Sequence, residues 1–378
     1  MKVSSNFNKN TRITVIVGPL IAITILLLPL AISPPVAAQS GIHYGLNNAD
    51  IRYLSSHAGE TLSPRRQGKK ITGHTFKPVA SYSDSSDHRS SFVTVGGLRV
   101  HYLDWGGRGP AMFFVPGAGN TAHVFDDFAP RFVDDYRVVA ITRVGFGESE
   151  MPSGMGYSLA ERVAHIRALL NSLDLTEVVL VGHSLGGDEI TEFAVKHPDR
   201  VNAVIYLDAA YDHILTGQWQ STLATSFDAR PPAPTAGDNE SVQAFQRYLA
   251  SVHGVTLPVG EVLASFRFDS AGVFKERRSP PRVMQEIMAA TEPPNFAGVR
   301  APVLAIYSDF QIPQDFAPWL PDASSALSEE LLRQVATERE RVEALIPKLT
   351  VVLRRNHHYQ FLTEPDWTES TIRSFLEE

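Results

Sequence analysis

The pentapeptide Gly182-His183-Ser184-Leu185-Gly186 directly follows the apolar run Val178-Val179-Leu180-Val181. An apolar run that leads into a glycine-flanked serine predicts a buried strand, a sharp turn and a helix. The glycines permit the strained backbone of such a turn, which lifts the Ser184 hydroxyl clear of the sheet edge. The helix that follows would point its free N–H groups at negative charge that develops on a reacting oxygen. Ser184 is therefore the candidate nucleophile.

Two further segments supply what a serine nucleophile needs. The apolar run 111–115 predicts a buried strand that ends in the loop Pro116-Gly117-Ala118-Gly119, and this loop can bring a backbone N–H close to the same oxygen. Near the C-terminus, His357 and His358 follow the short apolar strand 349–353. A serine hydroxyl is a poor nucleophile at neutral pH, so a histidine must accept its proton and an acid must orient the imidazole. The order serine, acid, histidine along the chain is the order this architecture requires.

On these residues, the chain from Phe92 to Glu378 resembles the α/β-hydrolase fold superfamily, in its serine esterase-like branch. The resemblance rests on Gly182 to Gly187, on the Pro116-Gly117 loop, on Arg143 to Ser149 and on His358. Pro116 departs from the family's usual His-Gly and blurs the subfamily. The resemblance implies an α/β fold, with a mostly parallel central sheet flanked by helices and an inserted helical cap.

Hydrophobic periodicity predicts the order of the elements. An antiparallel pair, 93–95 with 98–103, is followed by strands at 111–115, 137–142, 178–182, 204–207, 303–307 and 349–353. A helix is predicted over 158–173, with Ser158 as its N-cap and Glu161 three residues later. This alternation of strands and crossover helices is typical of a mostly parallel sheet with helices on both faces.

Residues 209–300 interrupt the alternation, and we predict that they form a cap over the active site. Helical patterns lie around 243–251 and 281–290, and a later long helix, 328–346, is expected to present a solvated outer face. The aromatic residues of the insertion are candidates either for a substrate pocket or for ordinary packing. They are Trp219, Phe227, Phe245, Tyr248, Phe266, Phe268 and Phe274.

Residues 1–38 have the features of an export signal. Lys2, Lys9 and Arg12 precede the apolar stretch 13–32, and small residues at 36–38 precede Gln39. We expect cleavage after Ala38 and an exported protein, periplasmic or extracellular, with no stable membrane insertion. The alternative is an uncleaved membrane anchor, because the apolar stretch is long enough to span a bilayer. The Ser-rich residues 39–91 show no apolar period and are predicted to form a flexible linker, which leaves 92–378 as the catalytic domain.

Composition limits the classes of partner. The net charge of −7 argues against binding to nucleic-acid phosphates, and a small-molecule ester is the expected partner. The chain has no cysteine, and its 13 histidines show no His-Glu-x-x-His pattern or comparable cluster, so neither a metal nor another cofactor is expected. The oligomeric state stays open.

His358 is the expected general base. Two adjacent rings in one loop cannot both aim at Ser184, and the family resemblance favours His358 over His357 because an aromatic residue, Tyr359, follows it. His183, beside the nucleophile, is interpreted as a structural residue of the turn. The oxyanion would be stabilised by the backbone N–H groups of Leu185 and Ala118.

The acid has two principal candidates. The resemblance implies a carboxylate at the position of Gln311, and a glutamine cannot carry the charge. Asp208, at the end of the strand 204–207, occupies an alternative position that some relatives use, and we favour it. Asp309 remains the alternative acid through a shifted turn, and Asp212 is a third choice.

These residues favour hydrolysis of carboxylic esters through an acyl-enzyme. The resemblance ties epoxide-hydrolase and dehalogenase chemistry to a carboxylate nucleophile, and serine at position 184 argues against both. Amidase, peptidase or carbon–carbon bond hydrolase activity uses the same apparatus and stays open, since the fold does not decide among acyl substrates. A further alternative is a ligand-binding protein of the cell envelope that has lost turnover.

Overall fold

The computed structural model describes residue 84 and residues 86–215, 231–316, 318–320 and 326–377. The predicted export signal and most of the predicted linker lie outside these residues, as do Trp219 and Phe227. Within the described ranges, every helix is too short or too polar to cross a bilayer.

An eight-stranded sheet forms the centre of the fold. In spatial order its strands are β1 (Arg89–Val95), β2 (Leu98–Gly106), β4 (Arg137–Ile141), β3 (Ala111–Val115), β5 (Val178–His183), β6 (Val201–Leu207), β9 (Val303–Ser308) and β10 (Leu349–Arg354). β2 pairs antiparallel with β1 and with β4, and every other neighbouring pair is parallel. Strands β7 (Phe266–Phe268) and β8 (Phe274–Arg277) form a separate antiparallel hairpin. The predicted α/β fold with a mostly parallel sheet is confirmed.

Helices cover both faces of this sheet. They are α1 (Leu159–Ser172), α2 (Gly186–Lys196), α3 (Val242–His253), α4 (Val259–Ser265), α5 (Pro281–Ala289), α6 (Pro313–Phe316), α7 (Ala326–Leu345), α8 (Gln360–Thr363) and α9 (Pro365–Glu377). Successive strand residues point to opposite faces, so Phe113 packs with α1, α2 and α5, while Phe114 packs with α3, α4 and α9. The result is two hydrophobic layers with the sheet between them.

Strand β1 begins at Arg89, three residues before the predicted domain boundary at Phe92. Arg89, Ser90 and Ser91 continue the antiparallel ladder with β2, pairing with Asp104, Leu103 and Tyr102. Their polar side chains give no apolar alternation, so only the partner strand reveals that they belong to the sheet.

The described part of the predicted cap contains α3, α4, the β7–β8 hairpin and α5. Its aromatic side chains pack against one another: the rings of Phe245 and Phe274 stack at 4.2 Å, and Phe266 and Phe268 meet them edge-on. Of the two roles expected for the aromatic residues of the insertion, a substrate pocket or ordinary packing, these four phenylalanines have the second.

Helix α7 is less solvated than its charge pattern indicated. Val342 is buried in the core, and the carboxylate of Glu338 is also buried, where it accepts a hydrogen bond of 3.0 Å from the Asp212 N–H. Charged residues on one face predict solvent exposure. The Glu338 carboxylate is nevertheless buried, because it accepts hydrogen bonds from this backbone N–H and from the Arg341 guanidinium, the latter at 2.7 Å. A satisfied carboxylate can be buried, and periodicity alone does not reveal that.

The N-terminus of α1 generates a prediction about stability. Ser158 and Glu161 form the predicted capping box, in which the Ser158 hydroxyl accepts the Glu161 N–H and the Glu161 carboxylate accepts the Ser158 N–H. Ser158→Ala should lower the free energy of unfolding by about 1 kcal/mol, because one helix N–H loses its acceptor. Ser158→Thr is the matched control and should retain most of the wild-type free energy of unfolding, because threonine also has a hydroxyl that can accept the N–H. Urea denaturation measures both, and an unchanged Ser158→Ala would contradict the capping role.

Candidate active site

The turn after β5 carries Ser184 in a strained backbone conformation. Its φ is +50°, in the left-handed region that side chains other than glycine rarely adopt, and its side chain is 7% exposed. Helix α2 begins two residues later. The turn is closely packed, because a Cβ on Gly186 would collide with the carbonyl oxygen of Val115 and one on Gly182 would lie 2.7 Å from Ile190. Glycine at both positions lets the serine sit at the end of the strand.

His358 and Asp208 form a short polar contact. Nδ1 of His358 lies 2.6 Å from Oδ2 of Asp208, whose other oxygen accepts the Ser308 N–H at 3.0 Å and the Tyr211 hydroxyl at 2.9 Å. Asp208 is 1% exposed and, like Ser184, has a positive φ, +48°. Because Nδ1 contacts the carboxylate, Nε2 is the ring nitrogen that can exchange a proton with a substrate or nucleophile.

The other two histidines of this region have structural contacts. His183, which precedes Ser184, donates from Nε2 to the carbonyl oxygen of His358 at 3.2 Å, and their rings lie 4.6 Å apart. Burial holds the pKa of His183 well below its usual value, so this ring stays neutral. The Nε2 of His357 donates to the carbonyl oxygen of His253 at 2.6 Å, and burial lowers the His357 pKa to about 4. His183 thus joins the turn of Ser184 to the loop of His358.

The other candidate acids have different partners. The carboxylate of Asp309 accepts a hydrogen bond of 2.7 Å from the side chain of Gln311, and its backbone is held to Arg354 of β10. The carboxylate of Asp212 accepts the N–H groups of Ile214 and Leu215. The structure therefore brings Asp208, and neither of these two, to His358.

The predicted oxyanion loop lies against the nucleophile turn. A Cβ on Gly117 would be only 3.0 Å from the Cβ of Ser184 and 2.8 Å from Nδ1 of His183, so the loop backbone and the serine are in contact. Ala118 follows directly in this loop, and Leu185 precedes the first turn of α2. The fold thus places both predicted N–H donors on the segments that border Ser184.

A buried ion network holds this loop to α2. Arg143 donates to the carbonyl oxygens of Pro116 and Gly117 at 2.7 and 3.1 Å, and its guanidinium makes two bonds of 2.6 and 2.8 Å to Glu189. Arg162 of α1 also donates to Glu189 at 2.7 Å. Burial raises the pKa of Glu189, but the two guanidinium groups outweigh it and the pKa is lowered. Arg143 is part of the motif 143–149, but its role in this network is not evident from the sequence. Glu189 is not predicted either; the one sign of it in the sequence is an acidic residue in the first turn of a buried helix.

Glu261 of α4 ties the predicted cap to the same loop. Its buried carboxylate accepts the Thr121 hydroxyl at 2.6 Å, the Asn120 side-chain amide at 3.1 Å and the Ser265 hydroxyl at 2.9 Å. The Tyr359 hydroxyl in turn donates to Asn120 at 3.1 Å. Burial raises the pKa of Glu261, although these hydrogen bonds lower it in part. The hydrogen bonds of Asn120 and Thr121 connect the oxyanion loop to α4 and to the loop that carries His358. No local sequence pattern predicts them, because the partners are more than 100 residues apart.

This sheet order, together with a strained serine at the end of β5 and an aspartate–histidine pair at the ends of β6 and β10, defines the α/β-hydrolase fold. The chain therefore has the α/β-hydrolase fold. The family model described as alpha/beta hydrolase fold matches residues 110–253.

Several curated proteins are similar to part of the chain. The 2-hydroxy-6-oxo-2,4-heptadienoate hydrolase of Pseudomonas putida is 32% identical over 120 residues, which cover 31% of this chain and 43% of that protein. Epoxide hydrolase 4 of Mus musculus is 32% identical over 143 residues, 37% of this chain and 40% of that protein. The 2-(acetamidomethylene)succinate hydrolase of Mesorhizobium japonicum is 30% identical over 169 residues, 44% and 57% of the two chains. The chain thus spans about two fifths of the length of the first two relatives.

Solved structures share the fold at low identity. The crystal structure of E-2-(acetamidomethylene)succinate hydrolase has a TM-score of 0.56 at 20% identity, over 77% of this chain and 100% of that one. A probable hydrolytic enzyme from Pseudomonas aeruginosa PAO1 has a TM-score of 0.54 at 20% identity, over 78% and 96%.

The aspartates generate a prediction about turnover. Asp208→Asn should lower kcat by about 10⁴-fold, since an amide neither fixes the imidazole tautomer nor stabilises the imidazolium. Asp309→Asn is the matched control and should stay within about threefold of wild type, because its carboxylate contacts Gln311. Steady-state kinetics on a chromogenic ester, with circular dichroism to verify folding, compares them. A large loss in Asp309→Asn with an active Asp208→Asn would reverse the assignment.

Proposed function

We propose that the protein is a serine hydrolase that cleaves carboxylic esters through an acyl-enzyme on Ser184. The observation that carries the proposal is the 2.6 Å contact between Asp208 and His358, in a loop that His183 joins to the strained serine turn. A buried carboxylate beside an imidazole favours the cation that forms when the ring accepts a proton. The remaining ring nitrogen is then a suitable base for a serine hydroxyl.

The reaction would proceed in two steps. The Ser184 oxygen attacks the ester carbonyl while His358 takes its proton, and the N–H groups of Leu185 and Ala118 stabilise the oxyanion. His358 returns the proton to the leaving alcohol, which leaves the acyl group on Ser184. Water then attacks this acyl-enzyme with His358 as base, and the free acid is released.

Epoxide opening is not proposed, although two curated relatives bear the name epoxide hydrolase. The family resemblance links that reaction to a carboxylate nucleophile, and this chain has serine at 184.

We also propose export to the periplasm or the extracellular space. The basic and apolar N-terminal segment, with small residues before Gln39, supports this localisation.

A second candidate is hydrolysis of an amide or a carbon–carbon bond in a substrate that carries a carboxylate. Half-buried Arg277, on β8, supports it: its Nη1 lies 3.7 Å from where a Cβ on Gly119 would stand, so its cation borders the oxyanion loop. Its Nε is buried and has no hydrogen-bond partner among the described residues. Burial lowers the Arg277 pKa, against the opposing effects of Glu261 and Tyr359. An anionic substrate group would satisfy such a guanidinium, and two relatives are named for a heptadienoate and a succinate.

The nucleophile assignment predicts the behaviour of a serine variant. The wild type should hydrolyse p-nitrophenyl acetate and butyrate, and Ser184→Ala should lose about 10⁶-fold in kcat because no acyl-enzyme can form. Ser172→Ala, at an exposed serine of α1, is the control and should match the wild type. Mass spectrometry of the wild type with a slow ester should find the acyl group on Ser184. A folded wild type without turnover on esters, amides or diketones would favour the ligand-binding alternative.

Arg277 predicts a preference for anionic substrates. Arg277→Met should raise KM about tenfold or more for esters whose acyl group ends in a carboxylate, since a charged hydrogen bond contributes about 1.5–3 kcal/mol. Neutral esters of the same length should change less than about threefold. Arg267→Met is the control, because Arg267 lies on the same hairpin but is exposed and paired with Glu276 at 3.2 Å. Equal changes in KM for the anionic and the neutral esters would contradict a carboxylate-binding role for Arg277.

A further inference from the structure

A second cluster of titratable side chains joins the segment before β1 to the turn after the oxyanion loop. Asp84 and His88 precede β1, while His123 and Asp126 belong to a short 3₁₀ turn around 122–126. These four residues, which we call the His₂Asp₂ cluster, offer one ligand atom each, and all four atoms lie within 4.8 Å of one another. None of the four belongs to the proposed catalytic group.

The distances in the cluster match the coordination of a small divalent cation. Nδ1 of His123 lies 2.9 Å from Oδ2 of Asp126 and 3.2 Å from Oδ2 of Asp84, and Nδ1 of His88 lies 3.2 Å from Oδ1 of Asp126. A tetrahedral zinc ion with ligand bonds of 2.0–2.2 Å separates neighbouring ligand atoms by about 3.3 Å. These three separations are close to those between zinc ligands, and the separation of 3.7 Å between Nε2 of His88 and Oδ2 of Asp84 is somewhat wider.

Unsatisfied buried atoms are a separate sign that something charged belongs between them. Oδ2 of Asp84, Nδ1 of His88 and Oδ1 of Asp126 are all buried without a hydrogen-bond partner in the described part of the chain. The side chain of Asp126 is 1% exposed and that of His88 is 9% exposed. The other oxygen of Asp84 accepts the N–H and the hydroxyl of Ser86, which directs the free oxygen at the cluster. Their contacts of 3.2 Å with one another or with His123 are ion-pair contacts without hydrogen-bond geometry, and a shared cation would satisfy all three atoms at one point.

Gly260 of α4 leaves room for that cation. A Cβ on Gly260 would lie 2.6 Å from Oδ2 of Asp84, 2.7 Å from Nδ1 of His123 and closer still to Oδ2 of Asp126. Any side chain at position 260 would therefore collide with three of the four residues, and glycine lets them stand close together around a shared point. Its φ is not in the left-handed region, so the backbone itself does not require glycine there.

Neighbouring rings enclose the cluster without competing for it. His101 stacks on His123 with ring centroids 5.7 Å apart, but its two nitrogens contact the hydroxyls of Ser90 and Thr142 at 2.9 Å. Trp105 meets His88 edge-on at 6.0 Å. His101 is therefore occupied elsewhere, and the set of donors remains two imidazoles and two carboxylates.

We propose that Asp84, His88, His123 and Asp126 bind one divalent transition-metal ion, with zinc the best match. Two imidazoles and two carboxylates in a closed, four-coordinate arrangement suit zinc, whereas calcium takes six to eight oxygen ligands. Four protein ligands leave no open position for a substrate, so the site is structural. It fastens the segment before β1 to the turn that follows Asn120 and Thr121.

This proposal departs from the expectation, drawn from the sequence, that the chain has no metal. The four residues form two short pairs, Asp84 with His88 and His123 with Asp126, which lie far apart in the sequence. A search for one compact motif does not find them, since only the packing of the 3₁₀ turn against the start of β1 unites them.

The experiment measures zinc directly in the purified protein. After treatment with a chelator and dialysis against zinc chloride, the wild type should hold about one zinc per chain, and the chelator should lower its melting temperature reversibly. His88→Gln and Asp126→Asn should each reduce zinc affinity by about a hundredfold or more, measured by competition with a chromophoric chelator. His197→Gln, at the end of α2, is the control and should bind as the wild type does.

Gly260→Ala keeps the test decisive if a ligand variant fails to fold. It retains all four ligands but places a methyl group against Asp84, His123 and Asp126, which must move apart, so we expect a folded protein with at least tenfold weaker zinc binding. Cobalt(II) loaded into the wild type should show the intense visible absorption of a tetrahedral site, and Gly260→Ala should lack it. A folded wild type that takes up less than a tenth of a zinc per chain, or ligand variants that bind zinc as tightly as the control, would overturn the proposal.

Discussion

The hydrogen bond between Asp208 and His358 is the interaction on which the rest of the site depends. It joins the end of β6 to a loop 150 residues further along the chain, at 2.6 Å and almost without solvent. A buried carboxylate that loses one of its hydrogen bonds is destabilising, so the pair also helps to hold the C-terminal loop in place. The parallel pairing of β6 with β9 brings the Ser308 N–H to the same carboxylate. Sheet register and the chemistry of the site are thus linked at one side chain.

Buried charge also organises the backbone around Ser184. Arg143 fixes the carbonyl groups of the oxyanion loop, and Glu189 couples that arginine to the helix that follows the serine. A backbone donor stabilises an oxyanion only if its position is set before the reaction, because reorganisation during the reaction would cost part of the gain. Glu261 adds a second restraint from α4. The oxyanion loop is therefore held by hydrogen bonds both to α2 and to α4, and through Asn120 to the loop of His358.

Much of the fold was predictable because its elements are locally encoded. Buried parallel strands appear as continuous apolar runs, and 111–115 and 178–183 were found within a residue of their ends. The N-terminus of α1 was predictable because Ser158 and Glu161 make their contacts within one turn. The start of β1 at Arg89 was not, since its residues are polar and only β2 pairs with them. The solvated outer face expected for the helix 328–346 is wrong at Glu338 for the same reason, because its partner, the Asp212 N–H, is distant in the sequence.

The sequence by itself determined the strand, turn and helix around Ser184 and the order of the groups that serve it, because apolar runs, glycines and caps act over a few residues. Tertiary structure alone decided which acid meets the histidine. Asp208 and Asp309 both follow buried strands, and the difference lies in which loop each carboxylate faces once β6, β9 and β10 are aligned. The same holds for the His₂Asp₂ cluster, whose two halves come together only through packing. A side chain's chemistry depends on its neighbours in space, and those neighbours are set by the meeting of distant segments.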